Sequence, residues 1–346
     1  MSRHLLRASS MMKTHCCSQR FFNSVSPLVP VQLPSQMETH LWYILPNEVK
    51  NASLLSQYLE LLSPCEKENV LGMRGDELRK RALLARALVR TTIARCRTII
   101  FQIESHPNRL LHFFGSLVDQ INSQVSPRSL KFTKNTYGKP EVEWQQSEDS
   151  HPPLLHFNLS HTSSLIACGV AIDSPIGIDV EEKQRTIKND ILSFARRYFS
   201  HEEVDFLAAV PNAEVQRQEF IKLWTLKEAY VKALGRGFSG APFKTFTIRY
   251  QDATRGTCDL SGNLNSEASE IVVDSSEEPS NSAGNWQFSL LELAGSHYAA
   301  ICKENSSPAD GRGKQPMKLT VWKTIPLVED ECVSGTDAVI RIGGSN

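Results

Sequence analysis

The sequence predicts an α+β fold, because helical and strand-like periodicities occur together along the chain. Residues 78–95 and 220–237 place apolar side chains at helical spacing. Short runs rich in branched and aromatic residues at 41–45, 164–172 and 176–181 are typical of strands. With 346 residues, the chain is long enough to bury one large core or two smaller ones.

Charge and cysteine content narrow the class of protein. The formal net charge is +0 and 22% of the residues are charged, so composition gives no reason to expect a nucleic acid or a membrane as partner. The eight cysteines are scattered without a C-x-x-C pair, and neither a disulfide framework nor a zinc site is predicted. No apolar run approaches the roughly 18 residues of a transmembrane helix.

Residues 1–37 have the composition of an organelle transit peptide. They combine basic residues with several serines, and the first acidic residue of the chain is Glu38. The stretch Arg20-Phe21-Phe22-Asn23-Ser24 resembles a cleavage site of a mitochondrial matrix peptidase. We therefore expect a mitochondrial protein, with a plastid or the cytosol as alternative locations. Plain disorder is the alternative interpretation of the segment.

The next part of the chain contains a strand and helices. Residues 41–45 form a strand that ends at Pro46, and a weak helix follows at 54–62. Residues 78–95 form a strong helix with many basic side chains, most of which belong to a solvated face. Arg86 lies at the border of the apolar stripe of that helix, so we expect it to point inward.

A polar stretch divides the chain. Residues 133–140 have the turn composition of a loop. Residues 141–153, which end in two prolines, predict the boundary between an N-terminal half at 38–153 and a C-terminal half at 154–303.

Two strand-like runs, 164–172 and 176–181, surround Asp173-Ser174-Pro175 and predict a hairpin. Asp179 and Glu181 share one face of the second run, because side chains alternate along a strand. Two carboxylates about 7 Å apart on one face can hold a hard cation between them. A solvated polar face is the alternative interpretation.

The helix at 220–237 is the most informative stretch. Its apolar side chains share one face, and Gly235 stands where a left-handed C-terminal cap belongs. Trp224, Glu228 and Lys232 form a neighbouring row at i, i+4 and i+8. Such a row can line a phosphate or metal site, although an acid four residues before a lysine is also a common surface pair worth only about 0.2–0.5 kcal/mol.

The rest of the chain contributes further strands and polar segments. A capping-box pattern at 200–203 starts a helix, and strands are expected at 246–250, 286–291 and 298–302. Residues 251–285 are predicted to form a flexible insertion, and residues 304–346 a loose C-terminal tail.

The motifs combine into a family resemblance. Gly177-Ile178-Asp179-Val180-Glu181 is followed, some forty residues on, by Trp224-x-x-Lys227-Glu228-Ala229-x-x-Lys232. Together with Tyr137-Gly138-Lys139-Pro140 and the run 157–162, this order resembles the 4′-phosphopantetheinyl transferases of the surfactin-synthetase-activating (Sfp) type, and we predict an organellar form. The resemblance covers residues 40–303 and implies a pseudo-twofold pair of similar α+β halves with the active site in the cleft between them.

The resemblance implies roles for individual residues. The magnesium-binding acids are matched by Asp179, Glu181 and Glu228. Lys232 matches a lysine that holds coenzyme A phosphates. The family residues that contact the nucleotide end of the cofactor correspond to Ser160, His161 and Lys139. Arg86 resembles the helix arginine that reaches the 3′-phosphate, with Arg81 or Arg90 as alternatives.

The implied reaction is Mg²⁺-dependent transfer of 4′-phosphopantetheine from coenzyme A to a serine hydroxyl of an acyl carrier protein. The catalytic residues are then Glu228, Asp179 and Lys232, and Glu228 accepts the serine proton either directly or through a bound water. An inactive coenzyme A-binding regulatory protein and a metal-dependent nucleotide hydrolase are the alternatives. We expect a monomer whose partners are the carrier protein and coenzyme A, without nucleic acid or membrane.

Overall fold

The computed structural model describes residue 34 and residues 38–105, 125–143, 154–188, 190–252, 269–275, 286–305 and 317–344. The predicted transit peptide at 1–37 therefore lies outside the described residues, apart from residue 34. Within the described ranges, none of the helices combines the length and the apolar character that crossing a bilayer requires.

The first sheet has the strand order β12-β11-β1-β5-β4. Its strands are β1 (Glu38–Ile44), β4 (Leu155–His161), β5 (Ile166–Ile172), β11 (Lys318–Ile325) and β12 (Glu329–Cys332). β5 pairs antiparallel with both β1 and β4, whereas β1 pairs parallel with β11. Every residue of β5 is buried, as expected for a central strand of a covered sheet.

Helices cover the outer face of the first sheet. They are α1 (Ala52–Leu61), α2 (Pro64–Leu71) and α3 (Asp76–Ser105), with short 3₁₀ turns at Pro46–Glu48 and Pro127–Ser129 and a small hairpin of β2 (Phe132–Lys134) and β3 (Pro140–Val142). Leu84 and Leu88 of α3 are fully buried in one cluster with Trp42 of β1. The apolar stripe predicted in the α3 sequence is therefore the face that packs on the sheet.

The second sheet has the order β13-β9-β10-β6. Its strands are β6 (Ile176–Glu182), β9 (Trp286–Leu293), β10 (His297–Glu304) and β13 (Val339–Gly344), and a separate hairpin joins β7 (Phe246–Asp252) to β8 (Ser269–Ser275). The helices on this side are α4 (Ile191–Tyr198), α5 (His201–Ala209), α6 (Ala213–Leu234) and α7 (Gly237–Gly240), followed by a 3₁₀ turn at Phe243–Thr245.

The two sheets pack against each other through a shared apolar cluster. Leu41 and Ala167 of the first sheet and Ile178 and Ile301 of the second belong to it, and all four are buried. Each sheet thus has one face on the other sheet and one face under a long helix, α3 or α6. The α+β fold class is confirmed, and each sheet is covered by one long helix, although the first sheet contains the parallel pair β1–β11 and the second is antiparallel throughout its described strands.

Helix α6 is the predicted central helix, and it extends further towards the N-terminus than the predicted 220–237. Asn212 caps its first turn by accepting backbone N–H groups, and Gly235 ends it with φ 67°. The helix packs on β6 and β10. A Cβ on Gly177 of β6 would lie 2.0 Å from the carbonyl oxygen of Ala229, so only glycine permits this close approach.

The predicted hairpin between 164–172 and 176–181 is wrong. β5 pairs with β1 and β4, and β6 pairs with β10 in the other sheet. The predicted boundary at residue 153 is wrong for the same reason, because β4 and β5 complete the first sheet. The division between the sheets falls in the connection between β5 and β6.

Side chains of β4 bond to the backbone of β6, although the described strands of the two sheets are not paired with each other. Asn158 Oδ1 accepts the backbone N–H of Ile178 at 2.9 Å, and Ser160 Oγ accepts that of Val180 at 3.2 Å. The backbone of β6, the terminal strand in the second sheet, is thereby hydrogen-bonded by residues of β4. The sheets meet at β4 and β6, and two of the sequence motifs, the run 157–162 and the run 177–181, lie on or at the end of these strands.

The predicted flexible insertion at 251–285 contains a core strand. β8 pairs with β7 in register from Phe246–Ser275 to Asp252–Ser269, and Ile271 and Val273 are buried under the second sheet. Its apolar run is only three residues long, Ile271-Val272-Val273, and polar residues on both sides concealed the strand. Residues 253–268 and 276–285 lie outside the described residues.

The predicted loose tail after residue 304 is also wrong for residues 317–344. β11 pairs parallel with β1 in the first sheet, and β13 pairs with β9 in the second. Trp322 of β11 stacks on Trp42 of β1 with ring centroids 5.1 Å apart. The segment completes both sheets because each leaves a strand edge that another strand can pair with.

Candidate active site

A cavity of about 500 Å³ lies where β4, β6 and α6 meet. Apart from Leu159 and Val180, its lining is polar or charged and consists of Ser160, His161, Thr162, Ser163, Asp179, Glu181, Glu182, Arg185 and Lys232. The alternation of β6 sends Ile178 and Val180 into the core between the sheets and leaves Asp179 and Glu181 on the opposite face. The structure thus brings together most of the residues that the sequence singled out.

Ser160, Asp179 and Lys232 form a hydrogen-bonded triangle at the base of the cavity. Lys232 Nζ lies 2.6 Å from Asp179 Oδ1 and 3.1 Å from Ser160 Oγ. Ser160 Oγ donates to the same carboxylate oxygen at 2.9 Å. This geometry depends on Gly177, because the close packing of α6 on β6 brings the last turn of the helix over the strand.

One oxygen of Asp179 is left without a protein partner. Its side chain is 7% exposed, and Oδ2 is buried with no hydrogen-bond donor among the described residues. A buried carboxylate oxygen without a donor is costly in a folded protein. Such an oxygen is available to a cation or to a ligand that carries a donor.

The acidic side chains of the site disfavour one another's ionisation. Burial and the Asp179 carboxylate raise the pKa of Glu181 to about 7. Arg185, whose Nη1 lies 2.5 Å from Glu181 Oε1, acts in the opposite direction and lowers this pKa. The pKa of Glu228 is raised by burial first and by Asp179 second. Positive charge placed among the three acids would relieve this repulsion.

The carboxylates fit a hard cation only as an incomplete site. In the part of the chain that the structure describes, no three His, Cys, Asp or Glu side chains converge as a finished metal site. Asp179 Oδ1 is engaged by Lys232, and Glu181 by Arg185. Oxygen donors and the unpartnered Asp179 Oδ2 suit Mg²⁺, which binds through a few carboxylates together with substrate phosphates and water.

His161 lies at the mouth of the cavity, at the end of β4. The protein groups around it lower the pKa of its imidazole by desolvation, and the positive charges of Lys232 and Arg81 act in the same direction. The ring is therefore neutral near pH 7, and its nitrogen atoms offer one donor and one acceptor.

The structure assigns the helix arginines differently from the sequence. Arg86, the predicted 3′-phosphate residue, donates to the carbonyl oxygen of Ala82 on its own helix at 3.0 Å and does not line the cavity. Arg90 is buried and pairs with Glu66 at 2.6 Å. The charge of Arg81 on α3 contributes to the lowered pKa of His161, so among the described side chains of the three candidate arginines Arg81 is the one whose charge reaches the site.

Lys139, predicted to contact the nucleotide, holds the backbone together. Its Nζ donates to the carbonyl oxygens of Ile176 at 2.9 Å and Lys232 at 2.8 Å. It lines a second cavity of about 270 Å³, separate from the residues of the first. Desolvation lowers the pKa of Lys139 to about 8. In this structure its ammonium group fixes the end of α6 against the start of β6.

Lys227, the motif lysine beside Glu228, lies in the core. It is fully buried and donates to both carboxylate oxygens of Glu203, at 2.7 and 2.8 Å, and to the carbonyl oxygen of Phe246. Glu203 also accepts the N-cap backbone N–H of α5 from Ser200. The ion pair between Lys227 and Glu203 therefore joins α5, α6 and β7. The motif at 224–232 thus contains a structural lysine, Lys227, beside the site residues Glu228 and Lys232.

Sequence reasoning missed Arg185 and His297. Arg185 lines the cavity, pairs with Glu181 and lies over the Trp224 ring at 5.4 Å. The sequence signal that could have identified Arg185 is its position four residues after Glu181, the acid on β6. His297, on β10, contacts Thr162 of the cavity wall at 3.0 Å, and no local pattern connects two residues so far apart in sequence.

Comparison with known proteins agrees with the predicted resemblance. Residues 175–301 match the profile of the 4′-phosphopantetheinyl transferase superfamily. This segment begins just before β6 and includes the acids of β6 and the whole of α6. The predicted resemblance to the Sfp-type transferases is confirmed, whereas the organellar form stays a prediction.

Individual relatives share parts of the chain. The 4′-phosphopantetheinyl transferase Sfp of Bacillus subtilis (strain 168) is 33% identical over 160 residues, which are 46% of this chain and 65% of the relative. Another 4′-phosphopantetheinyl transferase of Bacillus subtilis is 35% identical over 129 residues, 37% of this chain and 51% of the relative. The chain thus spans less than two thirds of these relatives. A holo-[acyl-carrier-protein] synthase structure from Thermotoga maritima covers 39% of this chain and 66% of its own, at 21% identity and TM-score 0.26.

Proposed function

We propose that this protein is a 4′-phosphopantetheinyl transferase that acts as a holo-[acyl-carrier-protein] synthase. The observation that carries the proposal is the lining of the cavity, where Lys232 contacts one oxygen of Asp179 and the other oxygen of Asp179 has no hydrogen-bond partner among the described residues. Glu181 lines the same cavity. A lysine beside carboxylates suits a substrate that brings a pyrophosphate together with Mg²⁺. The family match over 175–301 covers the same residues.

The proposed reaction is a displacement at phosphorus. The serine Oγ of the carrier protein forms a bond to the phosphorus atom that bears the pantetheine, and the bond from that phosphorus to the bridging pyrophosphate oxygen breaks. Adenosine 3′,5′-bisphosphate leaves with the electron pair, and the serine proton passes to a base. Positioning and charge neutralisation are the main contributions of a protein to such a transfer.

Each site residue of this chain has a proposed role that follows from its position. Asp179, Glu181 and Glu228 would hold Mg²⁺, which when bound supplies positive charge to the pyrophosphate oxygens. Lys232 binds a phosphate oxygen through Nζ, and its present contact with Ser160 fixes the side chain over the strand. His161 and Ser160 face the nucleotide end of coenzyme A from β4.

Glu228 is the proposed acceptor of the serine proton. Burial and the nearby Asp179 carboxylate raise the pKa of Glu228, and a raised pKa makes a carboxylate a better base. The charge of Lys232, four residues further along α6, acts in the opposite direction and favours the ionised carboxylate.

The partner and the location are proposed from composition. Residues 1–37 support import into mitochondria, and a mitochondrial enzyme would serve the acyl carrier protein of organelle fatty-acid synthesis. A plastid or cytosolic location would imply other carriers. The predicted monomer leaves the cleft open to a carrier domain.

The decisive experiment incubates the full chain with a serine carrier domain, coenzyme A and Mg²⁺ and measures the intact mass of the carrier. Appearance of the phosphopantetheine mass on the carrier supports the transferase. Release of nucleotide without carrier modification would support a hydrolase, and coenzyme A binding without either product would support a regulatory protein. A carrier whose acceptor serine is replaced by alanine is the control.

A further inference from the structure

The turn that connects β4 to β5 is tied to the second sheet by a buried histidine. Nε2 of His297, the first residue of β10, lies 3.0 Å from Thr162 Oγ1 and 3.1 Å from Ser164 Oγ. His297 is 1% exposed, so water does not compete for these contacts. Thr162 directly follows His161 and lines the same cavity.

Glu182 holds the same turn from the end of β6. Its Oε1 accepts hydrogen bonds from Ser163 Oγ at 2.5 Å and from Ser164 Oγ at 2.7 Å. Glu182 and His297 are register partners in the β6–β10 ladder. Two neighbouring residues of the second sheet therefore hold one turn of the first sheet at the rim of the cavity.

The contacts of the His297 ring hold the turn in either neutral tautomer. Ser164 Oγ donates its proton to Glu182, so it is an acceptor towards Nε2, whereas Thr162 Oγ1 accepts two backbone N–H groups of its own turn and has its own proton to donate. On the other side of the ring, Nδ1 lies 2.9 Å from Ser296 Oγ. Burial lowers the pKa of His297, which favours the neutral imidazole.

We propose that His297 is a positioning residue for the proposed transferase reaction. Through the contact between its Nε2 and Thr162 Oγ1, it holds the turn at 162–165 and thereby sets His161 at the distance from β6 that the nucleotide end of coenzyme A requires. The proposal rests on the proposed function, because the ligand whose binding it affects is coenzyme A. His297 acts through Thr162 and touches no reacting atom.

The effect belongs to substrate binding because the acids have separate supports. Asp179 is fixed by Lys232 and Ser160, and Ser160 is anchored on the backbone of Val180. Loss of the His297 contact leaves these bonds in place and loosens the turn beyond His161, which the contacts of Glu182 with Ser163 and Ser164 continue to hold in part. We therefore expect a change in KM for coenzyme A and little change in kcat.

The test measures KM and kcat for coenzyme A with His297→Ala, His297→Gln, Thr162→Val and Thr162→Ser. Loss of one buried neutral hydrogen bond predicts that His297→Ala and Thr162→Val each raise KM about threefold to tenfold, with kcat changed less than about twofold. Thr162→Ser and His297→Gln keep a hydroxyl donor or an acceptor, so their KM falls below that of the matching disruptive variant. The double variant His297→Ala with Thr162→Val is no worse than either single one.

His40→Ala is the matched control, since His40 is also buried but lies on β1 and does not line the cavity. An unchanged KM in His297→Ala, additive effects in the double variant, or an equal loss in His40→Ala would overturn the proposal. A second readout needs no activity: ¹⁵N NMR of the full chain, with the His297 signal assigned by its loss in His297→Gln. We expect the Nε2 signal of His297 in Thr162→Val to be shifted from its wild-type position, because Nε2 loses its contact with Thr162 Oγ1. An unshifted Nε2 signal in Thr162→Val would overturn the proposal, whereas failure of wild-type transfer with the expected shift would refute only the proposed function.

Discussion

Lys232 is the residue on which the polar contacts at the base of the cavity converge. It lies 2.6 Å from Asp179 and 3.1 Å from Ser160, and its charge also acts on the pKa of Glu181, Glu228 and His161. The side chain is 28% exposed, so it faces both the carboxylates and the open cavity. A lysine in this position can exchange a carboxylate contact for a phosphate contact without leaving the site.

Removing the charge of Asp179 or Glu228 should abolish transfer and leave the fold intact. Asp179→Asn and Glu228→Gln keep side-chain volume but lose the charge that binds Mg²⁺, so turnover should fall by about 100-fold or more. The measurement is carrier modification by intact mass, with the circular dichroism melt as a check on folding. Glu214→Gln, an exposed acid in the first turn of α6, is the matched control. Near-normal turnover by either site variant at saturating Mg²⁺ would refute the metal-binding role.

Glu181 should make stability fall as pH rises. Its folded-state pKa is raised from 4.5 to about 7 by burial and Asp179, so between these pH values the folded state binds more protons than the unfolded state. The penalty is absent below the unfolded pKa and complete above pH 7. Glu181→Gln should therefore gain more stability over the wild type at pH 8 than at pH 5, measured by denaturant unfolding in EDTA. Equal gains at both pH values would show that the carboxylate is not perturbed.

At the scale of elements, the packing of α6 on β6 is the contact that creates the site. It places Glu228 and Lys232 of the helix beside Asp179 of the strand, and Gly177 is the position where the two backbones approach most closely. On the other side of the same contact, Lys139 bonds the carbonyl oxygens of both elements. The loop that contains Lys139, residues 137–140, therefore stabilises the contact between α6 and β6 on which the site depends.

Gly177→Ala should separate α6 from β6. The added Cβ would lie 2.0 Å from the carbonyl oxygen of Ala229 and 2.2 Å from the backbone nitrogen of Ala233, and neither backbone atom can move without moving the helix. We expect a loss of about 1–3 kcal/mol or more in the free energy of unfolding, together with loss of activity. Gly72→Ala is the control, because its new Cβ would lie 3.3 Å from the nearest carbonyl oxygen at an ordinary φ of −74°. Similar unfolding energies for both variants would contradict the close packing.

At the scale of the whole molecule, the C-terminal segment 317–344 contributes strands to both sheets and connects them. β11 and β12 extend the first sheet and β13 extends the second, while Met317 and Val333 lie in the cluster between them. Arg95 of α3 pairs with Asp330 of β12 at 2.5 Å. The cleft between the sheets thus depends on residues far from it in sequence.

Truncation after residue 305 should unfold or aggregate the protein. It would uncover β1 and β9 as open strand edges and expose apolar residues between the sheets. The measurement is the soluble yield and the melting temperature, with removal of residues 345–346 as the control. A truncated protein that melts like the full chain would mean that β11–β13 add little to stability.

The N-terminal segment should behave in the opposite way. Removal of residues 1–37 is expected to leave transfer activity unchanged, because their composition predicts no packed structure. The same residues fused to a fluorescent reporter should direct it to mitochondria. A reporter that stays in the cytosol would refute the targeting prediction without affecting the activity prediction.

The sequence by itself determined the local features of this protein. The amphipathic pattern and Gly235 predicted helix α6, strand alternation placed Asp179 and Glu181 on one face, and the Ser200–Glu203 pattern predicted a capping box that the structure contains. These features depend on neighbours a few residues apart, so periodicity records them. The two motifs carried the family resemblance for the same reason.

Only the tertiary structure decided which strands pair and where long side chains end. Whether β5 joins β4 or β6, and whether residues 317–344 are tail or strand, depends on edges supplied by distant segments. Lys139 and Arg86 could reach several places, and their destinations were set by which carbonyl groups the fold left within hydrogen-bonding distance. Pairing and side-chain contacts are long-range choices among physically similar alternatives, and local sequence patterns do not distinguish between them.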